Sequence, residues 1–131
     1  MSLIIVDTDV ASYIFNRHTS GPRYIDALHG SELILSFMSV AELRMGAIAA
    51  RWGTRRRAFL EEFISDFEVI YADDVLCTSW AALRAHSRAA GRSLSPQDAW
   101  IASTALRLDA LLATNNRGDF EYIPKLRLLT A

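Results

Sequence analysis

The 131-residue chain holds a single cysteine, Cys77, and a single lysine, Lys125. One cysteine excludes an internal disulfide, and its setting in "DDVLCTSWAAL" predicts a thiol packed on the buried side of a helix. No apolar run approaches the roughly 20 residues that cross a bilayer as a helix. No basic stretch followed by a long apolar one opens the sequence. A soluble, cytoplasmic protein without membrane contact is expected. Internal repeats, low-complexity tracts and linkers are also missing. "TSGP" at 19–22 and "GRSLSP" at 91–96 are long enough only for turns, which predicts one domain over 1–131.

Apolar residues are plentiful, at 51%, enough to cover both faces of a mostly parallel sheet. Net charge is −1, yet thirteen of the fourteen cations are arginine. Arginine makes forked, planar contacts with phosphate and carboxylate, so the bias suits RNA or an acidic partner segment.

Periodicity and breakers place strands at 3–6, 32–36, 68–71, 111–113 and 127–129. Helices are expected at 8–16, 21–29, 39–51, 55–66, 74–90 and 96–108. This alternation predicts an α/β fold with a parallel sheet covered on both sides. Ligands of such sheets bind outside the carboxyl ends of the strands, where the following helices begin.

Four acids stand at such places. Asp7 ends the first strand, and either it or Thr8 can cap the next helix. "SVAE" reads as a capping box from Ser39 to Glu42. "SPQD" places Ser95 as cap, Pro96 at the first helical position and Asp98 three residues after the cap. Asp119 follows the fourth strand in "TNNRGDF". Any short oxygen would serve as a cap, so carboxylates at all four places exceed what capping requires. If they converge, their repulsion calls for a cation, and hard oxygen donors select Mg²⁺ or Mn²⁺. Metal-assisted phosphoryl chemistry is the natural reading. With these four acids set aside, the remaining charge is +3. Alternation alone does not carry the helix of Asp98 to the Asp7 edge, because two helices separate the third strand from the fourth.

"IIVDTDV", "SVAELRMG", "SPQDAWIASTAL" and "LLATNNRGDFEYIPKLRL" resemble, in order and spacing, the motifs of PIN-domain ribonucleases of the VapC toxin type. The resemblance implies a three-layer α/β/α sandwich with strand order 3-2-1-4-5. It also implies that Asp7, Glu42, Asp98 and Asp119 are the catalytic, metal-holding acids. Asn116 is the alternative to Asp119 as fourth ligand, or a hydrogen-bonding neighbour, while Thr8 and Thr114 match hydroxyls that line such sites. Asp9, in the first turn of the helix, suits the helix dipole, with support of the ligands or metal contact as the alternative. The implied activity is Mg²⁺- or Mn²⁺-dependent hydrolysis of RNA phosphodiesters, with tRNA the first substrate expected. A VapB-type antitoxin and a homodimer are the implied partners.

"RWGTRRR" is the densest basic stretch. Residues 40–64 are expected to form a helical hairpin whose outward side shows Met45, Ile48, Trp52 and Phe59. Arg44, Arg51, Arg55, Arg56 and Arg57 lie among them, for RNA or antitoxin contact. Trp100 is expected in packing, and His18, His29 and His86 away from the chemistry. "DTDV" also fits a haloacid-dehalogenase-like phosphatase, and the chain length fits a receiver-like module. Both need a lysine where Lys125 does not stand. A catalytically silent PIN fold that only binds a partner is the third alternative.

Overall fold

β1 (Leu3–Val6) is apolar throughout, the pattern of a strand covered on both faces. In the computed structural model, which describes residues 2 to 131, it is the centre of a five-stranded sheet. It pairs in parallel with β2 (Glu32–Ser36) on one side and β4 (Leu111–Ala113) on the other. β3 (Glu68–Ile70) and β5 (Leu128–Leu129) form the edges, giving the expected order 3-2-1-4-5.

Strand alternation divides the core in two. Ile4, Val6, Leu35 and Ala113 face one helical layer with Val10, Leu28, Leu43, Leu60 and Ile64. Those residues belong to α1 (Thr8–Phe15), α2 (Gly21–Leu28), α3 (Phe37–Ala49) and α4 (Thr54–Ser65). Ile5, Ile34 and Leu112 face the other layer with Ala99, Ile101, Ala102, Ala105 and Phe120. There lie α5 (Asp74–Ala89), α6 (Pro96–Leu108) and a short α7 (Arg117–Phe120). Ile5 is fully buried, so Ile5→Ala should cost about 2–5 kcal/mol, read as a lower urea midpoint at unchanged slope.

Strand order grows leftward from β1 to β3 and then jumps to β4, so the direction of winding reverses between β1 and β4. A crevice forms at that switch point. Two contacts bring the helix of Asp98 to the same edge. Arg107, late in α6, bridges Asp73 at the start of α5, and Trp80 stacks on Trp100 at 5.0 Å. The two helices are therefore antiparallel, and α6 must descend from the carboxyl edge to feed β4. Pattern reading could not supply that step, because it depends on how α5 and α6 pack.

Three expectations are corrected. α3 starts at Phe37, capped by the Ser36 hydroxyl, which accepts from the Met38 N–H at 3.1 Å. β2 passes into α3 without a loop, so the last strand residue is the cap and the Ser39–Glu42 capping box does not form. Cys77 is exposed. The covered stripe of α5 runs through Leu76, Trp80, Leu83 and Ser87, and Cys77 falls one position off it. The chain at 117–120 is helical, where no element was expected.

Candidate active site

Asp7 is where sheet becomes helix. Its N–H still donates to Ala113 O at 2.9 Å, while one carboxylate oxygen caps α1 by accepting from the Thr8 N–H at 2.8 Å. The other oxygen accepts from the Thr114 hydroxyl at 2.7 Å, across the β1–β4 switch point. Asp7 is 6% exposed, an uncommon depth for an acid with no cationic partner.

The Thr8 hydroxyl lies 2.8 Å from both Ser39 Oγ and Glu42 Oε1. Its single proton serves one bond, so donating to the carboxylate makes Ser39 the donor to Thr8. Ser39 is fully buried and sits three residues before Glu42, on the same helical face. Sequence reading missed this role by assigning Ser39 to a cap, although the i, i+3 spacing was the available signal.

Asp98 sits in the first turn of α6 as expected, its N–H donating to the Ser95 hydroxyl at 3.0 Å. Beyond β4, Asn116 donates through its side chain to Asp9 at 3.0 Å and through its N–H to the Thr114 hydroxyl at 3.1 Å. Asp119 is exposed in α7. Tyr24 holds this loop from below, donating to Asn115 Oδ1 at 3.0 Å.

Electrostatics link all five acids. Burial, and then the charge of Asp9, push the Asp7 carboxyl up to about 8, against the bonds from Thr114 and Thr8. Asp98 is raised by burial first, then by the charges of Asp119, Glu42 and Asp9. Asp9 is raised mainly by burial. Each shift records the cost of charging one carboxylate in a half-buried site crowded with others.

The donors are all hard oxygens, which fits a divalent cation such as Mg²⁺. Among the described residues, however, no three His, Cys, Asp or Glu side chains stand ready to hold an ion together. Closure around one would need rotation of Glu42, Asp98 and Asp119, whose side chains are not fully buried. Thr114 orients the deepest acid, so Thr114→Val should lower phosphodiesterase turnover about 10–100-fold while leaving the fold intact by circular dichroism.

The basic hairpin lies on the α3–α4 side. Met45, Ile48 and Phe59 are exposed as expected, at 64%, 62% and 50%. Trp52 is not: it packs inward against Phe15 at 5.5 Å, and the Arg56 guanidinium covers it at 3.9 Å. Arg44 is held across the hairpin by a forked pair with Glu61. Arg51, Arg55 and Arg57 are exposed and have no carboxylate partner among the described residues. Trp100 packs between Trp80 and Phe37, and His18 stacks on Tyr13.

No helix among the described residues is long and apolar enough to cross a membrane. The PIN domain family model matches residues 4–126. A VapC ribonuclease of Sinorhizobium fredii is 31% identical over 127 residues, covering 91% of each chain. The tRNA(fMet)-specific endonuclease VapC of Shigella flexneri is 27% identical, covering 97% of this chain and 96% of its own. Among solved structures, VapBC2 from Rickettsia felis, bound to a DNA fragment from its promoter, superposes with a TM-score of 0.85. It is 26% identical, with 98% of each chain covered. Matched across nearly its whole length in sequence and in strand order, the chain belongs to the PIN-domain family.

Proposed function

We propose that the chain is an endoribonuclease toxin of the VapC type, a single PIN domain that hydrolyses RNA phosphodiesters until an antitoxin covers it. The observation that carries this reading is the buried Asp7 at the β1–β4 switch point, with four further acids in electrostatic reach of one another. Such a group is unfavourable in isolation and favourable around a cation beside phosphate. VapC ribonucleases among the relatives support the same chemistry.

Asp7 and Asp98 would hold a Mg²⁺ or Mn²⁺ ion most directly, with Glu42 and Asp119 completing the set. When bound, such an ion supplies activation of water and neutralisation of charge on the phosphate. The Thr114 hydroxyl holds Asp7 in a fixed rotamer, so its oxygens need little reorganisation, while the Thr8 hydroxyl keeps Glu42 at the crevice, from which it would rotate onto an ion. Asn116 ties Asp9 to the loop after β4, which limits how far that acid can swing. The walls of the crevice withdraw Asp7 from water and strengthen its pull on positive charge. In-line hydrolysis leaves a 5′-phosphate and a 3′-hydroxyl. No histidine takes part. Transfer RNA is the substrate assigned, supported by the name of the Shigella relative.

The partner is a VapB-type antitoxin, supported by the likeness to a VapBC structure. Met45, Ile48 and Phe59 offer it apolar anchors, and Arg51, Arg55 and Arg57 offer it charge. A homodimer in the cytoplasm completes the assignment.

Incubating purified, antitoxin-free protein with total tRNA, in Mg²⁺ or Mn²⁺ and in EDTA, tests the reading. Cleavage confined to the metal arms is expected. Intact RNA in every arm, across RNA pools, would leave the partner-binding PIN fold as the better account.

A further inference from the structure

A second feature lies at the acid edge. An open cavity of about 830 Å³ forms where α5 ends and the chain turns into α6. Its walls carry Arg84 and Arg88, one turn apart on the same side of α5, and Arg92 from the turn that follows the helix. No acid lines it, and none of the three is paired with a carboxylate among the described residues. Elsewhere Arg44, Arg107 and Arg127 are paired with acids, while Arg51, Arg55 and Arg57 on the α3–α4 side are unpaired among the described residues. The net charge of the chain is −1, so three arginines around a cavity that no acid lines are a local concentration of positive charge, separate from the one on the α3–α4 hairpin.

A helix C-terminus favours cations in its last turn, which accounts for Arg88. It does not account for Arg84 one turn earlier, nor for Arg92 beyond the helix end. Two of the guanidiniums are set over aromatic rings, Arg84 over Trp80 at 5.4 Å and Arg92 over Tyr122 at 5.0 Å. Tyr122 is held in turn by the buried Ser87 hydroxyl at 3.1 Å. Stacking of this kind orients the forks and lowers the entropy lost when an anion is bound.

The cavity is coupled to the acid site through the backbone. Trp80 donates from its indole to Pro96 O at 3.1 Å and stacks on Trp100, which ties α5 to the first turn of α6. Leu94 is a wall of the cavity, and the next residue, Ser95, caps the helix carrying Asp98. Four residues of chain span at most about 14 Å, a distance that a short run of extended RNA can cover.

We infer that Arg84, Arg88 and Arg92 form a phosphate-binding subsite for RNA, gripping the strand beside the bond that the acids cleave. The inference rests on the ribonuclease reading and extends it to the path of the substrate. Forked donors select phosphate oxygens without reading bases, so the subsite contributes affinity and register and leaves sequence choice to other contacts.

The test is binding of a labelled single-stranded 2′-O-methyl oligoribonucleotide, which cannot be cleaved, to wild type in EDTA over a series of salt concentrations. Against it stand the Arg84→Gln/Arg88→Gln/Arg92→Gln variant and, as control, Arg127→Gln. Each phosphate contact contributes roughly 0.7 to the slope of log affinity against log salt, so the triple variant should lose about 2 and the control nothing. Should the triple variant fail to fold, Arg88→Gln alone, exposed and free of ring contacts, should lose about 0.7. With cleavable RNA and metal, KM should rise about tenfold or more at unchanged kcat. Equal slopes in wild type and variant would overturn the subsite, as would a dimer-to-monomer shift of the variant with unchanged affinity. Failure of wild type to cleave, with arginine-dependent binding intact, would count against the ribonuclease reading and for the subsite.

Discussion

Asp98→Asn should lower RNA cleavage by on the order of a thousandfold, equivalent to about 4 kcal/mol of transition-state stabilisation. The substitution keeps shape and the backbone bond from the Asp98 N–H to Ser95, and removes only charge. Burial and the charges of Asp119, Glu42 and Asp9 already oppose ionisation of Asp98. The metal-free variant should therefore be as stable as wild type, or more so. Thermal melts with and without Mg²⁺ separate the two roles of this acid. Wild type should gain stability with the ion by mass action, about 2.7 kcal/mol at a hundredfold excess over Kd, and the variant should gain little. A variant that still cleaves at wild-type rate would remove Asp98 from the chemistry. One that loses activity only in proportion to a loss of fold would give Asp98 a structural role at the start of α6 and none in the chemistry.

The second large effect is a reversed pH dependence of stability in metal-free protein. The Asp7 carboxyl moves from an ordinary 3.8 up to about 8 on folding, through burial and the neighbouring Asp9. Between those values the folded state holds a proton that the unfolded state has released. Stability must therefore fall as pH rises through that window, with the penalty absent below about 4 and complete above about 8. Asp98 and Asp9 are raised as well and add to the same slope. Asp73 and Glu61 are held below their usual range by Arg107 and Arg44, and they act in acid, outside the window used here. In EDTA the wild-type melting temperature should be lower at pH 8 than at pH 5.5 by at least about 5 °C. Asp7→Asn should flatten most of that slope and melt above wild type at pH 8. Mg²⁺ should flatten it too, by neutralising the ionised form. A slope that is the same in wild type and Asp7→Asn would show that the buried carboxylate is not under strain.

Strand positions, strand direction and the placement of Asp7 and Asp98 at helix starts were legible in residue order because each rests on local chemistry. An apolar run reads as a strand, and a Ser three residues before an acid reads as a cap. The capping assignment failed at Ser39 for a related reason. Two serines stood within reach of the start of α3, and only the direct passage from β2 to α3 decided that Ser36 is the cap. Trp52 was misplaced because hairpin periodicity cannot see Phe15, which approaches from a different helix. Cys77 was misplaced by one position on a helical face, an error that burial tendencies cannot correct.

By itself the sequence determined which groups are available: five acids near strand ends or helix starts, hydroxyls beside them and a supply of arginines. Whether those groups meet was decided only by tertiary structure. The antiparallel packing of α5 on α6 brings Asp98 to the edge where Asp7 ends β1, and the same packing leaves Arg84, Arg88 and Arg92 around the cavity where α5 turns toward α6. The physical reason is range: caps, turns and strand patterns act over a few residues. Burial, the main cause that raises Asp7 and Asp98, and the repulsion that links them to each other and to Glu42 come from groups far apart in the chain, and they exist only once the sheet and its helices have packed.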